Sequence, residues 1–353
     1  MSARRIDRLR LVSLSLMVFA AIGSGCREDR TASSTAPAAV LSGNVTMDGS
    51  STLFPVSRTM AEAFASANPG VKIAVTESGT GGGFRRLCAG EVDLIGASRP
   101  INGAEQELCR SHKIEFLELP VAFDAVTVVT NPKNTFVSCL TVVELKTIWS
   151  PAAENKVTRW NQVRASFPAQ PLSLYGPGKD SGTFDYFTLA VNGTESSSRG
   201  DYTKSEDDTV LVNGVAADDN ALGYFGASYY LSNADKLRLV AVDSGSGCVA
   251  PSAETVLDGK YQLLSRPLFV YAATVAAARP EVKAFVRYYL SPENSPKVQS
   301  VGYVPLPPAA LLTVGRRLEK HVSGSAFGAH GSVLGLTPDV FQDDERIKNA
   351  LVR

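Results

Sequence analysis

Three segments of the chain put hydroxyl side chains and glycines where a helix is about to begin. The fullest is Glu77-Ser78-Gly79-Thr80-Gly81-Gly82-Gly83-Phe84. It follows the alternating, strand-like stretch Val71–Val75 and precedes the helical pattern Phe84–Cys88. Such a junction is a place to hold an anion. Glycine admits close backbone approach, the first helical N–H groups have no partner inside the helix, and the hydroxyls add donors. Reduced forms recur at Gly49-Ser50-Ser51-Thr52-Leu53-Phe54-Pro55 and at Asp180-Ser181-Gly182-Thr183-Phe184. Together they predict one anion gripped from several sides, with Ser51, Thr52, Leu53, Ser78, Thr80, Ser181, Gly182 and Thr183 in contact.

Two charged residues extend this reading. Ser98-Arg99 closes the short strand that starts at Asp93, so Arg99 is placed to offer a bidentate fork to an oxyanion, with Ser98 beside it. The alternative role for Arg99 is an inter-lobe salt bridge. Asp180 either caps the helix that follows it or orients Arg99 and accepts a proton from the anion. The glycine loop is not GxGxxG, and no Lys-Ser/Thr pair makes it a nucleotide P-loop. Catalysis would need an activated nucleophile with a base or metal nearby, and His112, His321 and His330 all lie outside these motifs. A phosphatase is therefore the weaker reading. No Cys/His cluster has metal-ligand spacing, so neither a metal nor a cofactor is expected. The formal net charge of +0 argues against nucleic acid as a partner, which needs a basic face.

The elements that must position these loops alternate. Strand-like runs at Val45–Met47, Val71–Val75, Asp93–Ser98, Leu172–Tyr175, Leu237–Val242 and Pro267–Ala273 are interleaved with amphipathic patterns such as Val56/Met60/Phe64 and Val282/Phe285/Val286/Tyr289. This order predicts an α/β protein with mostly parallel sheets. Glu115–Pro120 and Ala125–Thr130 read as a strand pair in one long extended run. Two α/β lobes are expected, joined by crossings at Leu119–Thr130 and Leu263–Val270. The three loops then surround one cleft at the C-terminal ends of strands, where α/β sheets bind ligands. Val314–Arg353 reads as a helix and tail, with Asp339–Asn349 polar and helix-compatible.

Residues 1–26 read as an export signal: Arg4, Arg5, Arg8 and Arg10, then the apolar Leu11–Ala21, then Ile22-Gly23-Ser24-Gly25-Cys26. The ending resembles a bacterial lipobox, with Cys26 the lipidated residue, although Gly23 stands where a large aliphatic residue is usual. Plain secretion is the alternative. Residues 27–43 read as a flexible tether. The other four cysteines of an exported chain allow three connectivities. The local choice is Cys88–Cys109, which leaves Cys139–Cys248.

The motifs quoted above, with Asp93–Pro100, Ala221-Leu222-Gly223-Tyr224-Phe225 and Ser265-Arg266-Pro267-Leu268, resemble the phosphate-binding proteins of bacterial ABC transporters in order from about Asn44 to Leu306. The resemblance implies a two-lobed type II periplasmic-binding fold, a Venus flytrap with two hinge crossings. Lobe one would be 44–122 with 267–322, lobe two 123–266, and 323–353 a C-terminal tail. It also implies inorganic phosphate as ligand, captured with high affinity outside the cytoplasmic membrane, and ABC permease subunits as partners, with the membrane reached through a lipid anchor only. A general oxyanion-binding or sensory lipoprotein is the alternative. Many members place an Asp after the strand-end Ser and an Arg before the Ser-Gly-Thr. Here Arg99 and Asp180 exchange those positions, so the carboxylate that accepts the phosphate proton is open among Asp180, Glu77 and Asp93.

Overall fold

The computed structural model describes residues 41–329, 331–343 and 345–347. The expected signal, Cys26 and most of the tether lie outside the described residues. The chain starts as β1 (Gly43–Gly49), α1 (Phe54–Ala67), β2 (Val71–Val75), α2 (Gly79–Cys88), β3 (Leu94–Ala97) and α3 (Gly103–Ser111). Val56, Met60 and Phe64 recur every four residues and are buried, which seats α1 on the sheet. Pro55 occupies its first turn, where a missing N–H costs nothing. Asn102 and Glu105 form a reciprocal capping box that starts α3.

Next comes β4 (Phe116–Thr130), followed by β5 (Cys139–Thr141), α4 (Val142–Trp149), β6 (Ser173–Pro177), α5 (Gly182–Asn192), β7 (Thr203–Ser205), α6 (Asp208–Ala217), β8 (Ala221–Gly226), α7 (Ala227–Leu231), β9 (Arg238–Asp243), β10 (Cys248–Val249) and α8 (Ala253–Leu257). The chain then returns through β11 (Ser265–Ala273) and the short β12 (Val304–Pro305). Two amphipathic helices, Pro280–Tyr289 and Pro308–Glu319, flank β12 in the chain.

The sheets are mixed rather than mostly parallel. β2, β1 and β3 are parallel, as are β7, β6 and β8, because helical crossovers join them. Between these wings β11 runs antiparallel to β3 and β4, and β4 runs antiparallel to β8 and β9. The two crossings are thus strands of the sheets themselves. β4 is one continuous strand, not a strand pair: its first part pairs with β11 and its last five residues with β8. Every residue of β4 is buried, which explains its near-continuous apolar sequence. Its register against β11 slips between Leu268 and Phe269, opposite Pro120, a residue that cannot donate to the ladder.

Disulfides join Cys88 to Cys109 and Cys139 to Cys248, the expected pairs. The C-terminal segment differs from a polar tail. Phe327, Leu336 and Phe341 are buried in the main core. The buried Glu118 of β4 accepts bonds from Ser325 Oγ, at 2.6 Å, and Ala326 N, at 2.8 Å. Within the stretch read as polar and helix-compatible, Pro338–Gln342 forms a short 3-10 turn and residues 345–347 are helical.

Candidate functional site

The three hydroxyl-rich helix starts meet. Thr52, before α1, lies 2.9 Å from Thr183 of α5, oxygen to oxygen. Thr80, in the first turn of α2, lies 3.2 Å from Ser98, which follows β3. The backbone N–H of Gly81 donates to the Asp180 carbonyl across the cleft at 2.9 Å, satisfying one of the free N–H groups that start α2. Gly182 presses in so closely that a Cβ there would meet Ser98 Oγ at 2.6 Å and Thr80 Oγ1 at 2.8 Å. Ser51, Thr52, Thr80, Ser98, Ser181 and Thr183 are all buried. The cleft is closed on a cluster of hydroxyls that bond to one another.

Arg266, on β11, is the cation of this cluster, and the sequence reading missed it. Its Nη2 donates to Thr183 Oγ1 at 2.7 Å, Asp124 Oδ2 at 2.9 Å and Thr52 Oγ1 at 3.2 Å; its Nη1 donates to the Gly182 carbonyl at 2.9 Å. Arg266 and Asp124 are both fully buried, while Nε of Arg266 makes no hydrogen bond among the described residues. Two sequence signals pointed to it: Ser265-Arg266-Pro267-Leu268 is one of the motifs that carry the resemblance, and Arg266 stands inside the apolar run that forms the second crossing. A charge there must be buried, and a buried charge requires partners.

Two carboxylates lie in the same place. Asp124 lies on β4 opposite Arg266 in the ladder register. Burial raises its carboxyl, and Arg266 pulls it back. Asp208, first residue of α6, accepts the Ser51 hydroxyl at 3.2 Å. Burial pushes its carboxyl up to about 8, against the hydrogen bond from Ser51 and the charge of Arg266. This shift favours its protonated form at neutral pH.

Several expected contacts point elsewhere. Arg99 is buried in an ion-pair cage. Its Nη1 and Nη2 each donate to Glu105 at 2.8 Å, Nη1 also reaches the Pro100 carbonyl, and Nε donates to Asp185 of α5 at 2.7 Å. Asp185 makes this the inter-lobe salt bridge, while Glu105 at the start of α3, six residues from Arg99, offers the carboxylate that matches its fork. Asp180 is partly exposed and binds Arg85 of α2 through both oxygens, which lowers its carboxyl. It latches the cleft from outside and does not face the hydroxyls. Ser78 donates to Asp48 at 2.7 Å, so its hydroxyl proton is committed to holding the loop. Asp48 also takes Thr76 and Arg86; these bonds lower its carboxyl despite burial. The Leu53 side chain is core, and its amide bonds back to Ser50. Asp93 lies at the opposite end of β3 from Ser98, bound to Thr46 and Arg279. Glu77 is surface-facing; the burial it has, then Asp207 and Asp48 nearby, raise its carboxyl.

Two lobes bridged by paired strands and closed on hydroxyls at three helix starts define a two-lobed binding protein. Residues 33–293 match the PBP superfamily domain, so the chain belongs to that superfamily, and its fold is the type II periplasmic-binding fold. Protein SphX of Synechocystis sp. is 49% identical over 295 residues, covering 83% of this chain and 87% of that protein. The phosphate-binding protein PstS of Staphylococcus saprophyticus is 35% identical over 270 residues, covering 75% and 81%. Among solved structures, a putative phosphate ABC transporter substrate-binding protein from Clostridium perfringens with bound phosphate is 26% identical. It matches with a TM-score of 0.65 and covers 75% of this chain and all of that one. The chain belongs to the family these relatives form.

Proposed function

We propose that this protein captures inorganic phosphate outside the cytoplasmic membrane and delivers it to an ABC permease, without catalysis. The observation that carries the reading is the convergence of three helix starts and one buried arginine on six buried hydroxyls. The anion would enter between Thr52 and Thr183 and between Thr80 and Ser98, replacing the contacts these hydroxyls make with one another. Ser51 and Ser181 lie beside it. Arg266 supplies the charge-assisted bonds, and Asp124 holds Arg266 in place. Arg99 braces the closed lobes.

Asp208 is the proposed proton partner. Phosphate near neutral pH carries a proton and sulfate does not. An ionised Asp208 accepts from P–OH and finds no donor on sulfate, whereas a protonated Asp208 donates to either anion. Discrimination by a buried polar group follows from the cost of leaving it unpaired. The bounds of the lobes are 44–122 with 267–322, and 123–266; the crossings act as the hinge. Residues 1–26 direct export, with Cys26 the proposed lipid anchor. Among the described residues no helix is long and apolar enough to cross a membrane.

Equilibrium binding of radiolabelled phosphate to the purified protein, competed with arsenate and sulfate, tests the reading. Phosphate should bind stoichiometrically, arsenate should compete, and sulfate should compete weakly above pH 8. Equal competition by sulfate across the pH range would make a general oxyanion binder the better description.

A further inference from the structure

Along β4 successive side chains face opposite sides. Asp124 faces the hydroxyl cluster; its neighbours Phe123 and Ala125, with Thr127, face the other way and form one wall of a second cavity of about 440 Å³. The remaining walls are α7, α8 with the turn before it, and the segment from Gln299 through β12. None of the side chains that line it is charged. Leu231 and Leu257, which are 55% and 53% exposed, belong to its lining. Tyr230, half-buried, and Gln299, exposed, are among its lining residues, and their side chains make no hydrogen bond among the described residues.

The cavity is built by both lobes. Gly302, in lobe one, approaches α7 so closely that a Cβ would meet Leu231 Cδ1 at 2.5 Å. Tyr303 lines the cavity and ties the sides together: its hydroxyl pairs with Ser228 of α7 at 2.6 Å and donates to the Thr52 carbonyl. One end of this ring is therefore at the cavity and the other at the backbone of the hydroxyl cluster.

We propose that this cavity is a second ligand site, for a small, neutral, mostly apolar molecule with one hydrogen-bonding group. Size and lining are those of a small-molecule pocket: a few hundred Å3, apolar and aromatic walls, few polar groups. The uncharged lining selects against ions, because an ion there would lose its hydration and gain no counter-charge. Tyr230, a lining residue with a hydroxyl, is the side chain offered to the polar end. A molecule that touches α7, β4 and β12 together binds the closed arrangement best and shifts the lobes toward it. This site does not depend on the identity of the anion bound on the other face of β4.

Titration with the neutral fluorophore N-phenyl-1-naphthylamine, in the absence of phosphate, reads the site directly. Saturable binding at one probe per chain is expected. Ala253→Trp, which fills the cavity from the first residue of α8, should weaken it at least tenfold. Leu257→Asp, which puts a charge in the lining, should do the same. Val143→Trp, at an exposed residue of α4, should leave it unchanged. The anionic analogue 8-anilino-1-naphthalenesulfonate should bind at least tenfold more weakly, and small-angle scattering should show a smaller radius of gyration with the neutral probe. Non-saturable binding, binding indifferent to both cavity variants, or equal binding of the anionic analogue would overturn the site. An unchanged or larger radius of gyration would overturn its link to closure.

Discussion

At the residue scale, the roles fall on side chains according to which partners already occupy them. Arg99 and Arg266 are both buried, yet Arg99 spends its fork on Glu105 and Asp185 while Arg266 spends its on the hydroxyls. Arg266→Lys keeps a charge but loses the fork. It should weaken phosphate binding by about 1.5–3 kcal/mol, the range for hydrogen bonds to charged groups, as calorimetric titration would read. Arg99→Ala should instead cost about 3–5 kcal/mol of stability by stranding its carboxylates. In the folded fraction the ratio of phosphate to sulfate affinity should be unchanged; a lost ratio would return Arg99 to the anion. For Asp208 the sign is fixed by its raised carboxyl, at about 8 when folded against the ordinary 3.8. Between those values the folded state holds one more proton than the unfolded state, so this group's contribution falls as pH rises toward 8 and is flat above it. Chemical denaturation from pH 5 to 9 should show that slope, at most about 1.4 kcal/mol per pH unit, and Asp208→Asn should abolish it. Asp208→Asn should also let sulfate compete at pH 8.5, whereas Asp180→Asn should not.

At the element scale, the approach of α5 to α2 and β3 depends on one glycine. Gly182 starts α5, and a methyl group there would have to enter between Ser98, Thr80 and the Arg99 stem, all buried. These are short side chains in a close-packed interface and have nowhere to move. Gly182→Ala leaves each lobe's own core intact but opposes the contacts that hold the lobes closed, so a lower melting temperature and a larger radius of gyration are expected even without ligand. Phosphate affinity should fall at least tenfold, because the clash exists only when the lobes meet. A wild-type affinity would mean that the anion binds without this contact. The Cys139–Cys248 bond ties β5 to β10 across a separation of 109 residues. Replacing both cysteines with serine should cost about 2–4 kcal/mol, the typical range for a disulfide, measurable as a lower denaturation midpoint.

At the scale of the whole molecule, the closed arrangement is held by direct contacts between lobes: Thr52 with Thr183, Gly81 with Asp180, Arg85 with Asp180, and Arg99 with Asp185. A ligand that bridges the same groups adds to them and shifts the population further toward closure. Scattering with saturating phosphate should give a smaller radius of gyration than without, and phosphate should raise the melting temperature in proportion to the logarithm of its concentration. Weakening the outer latch with Arg85→Ala should enlarge the ligand-free radius of gyration and leave the phosphate-loaded value near wild type.

The sequence by itself determined what is local. The strand–hydroxyl–glycine–helix junctions, the amphipathic faces of α1 and Pro280–Tyr289, and the disulfide between Cys88 and Cys109 are set within about twenty residues of chain, where turn chemistry and periodicity act. The order of the motifs was also enough to name two lobes and a cleft. Only the tertiary structure decided which charges meet. Arg99 stood beside Ser98 and looked like the anion's fork, but nothing in the spacing shows that Glu105 folds back onto it. Arg266, Asp124 and Asp208 are separated by 58 to 142 residues and lie in strands or at a helix start, and even the motif that holds Arg266 does not show which carboxylates it meets. The antiparallel crossing of β4 and β11 brings Asp124 opposite Arg266, and closure brings Ser51 to Asp208. Long-range electrostatics in a buried site depends on distance and desolvation, and both are properties of the packed molecule rather than of the chain.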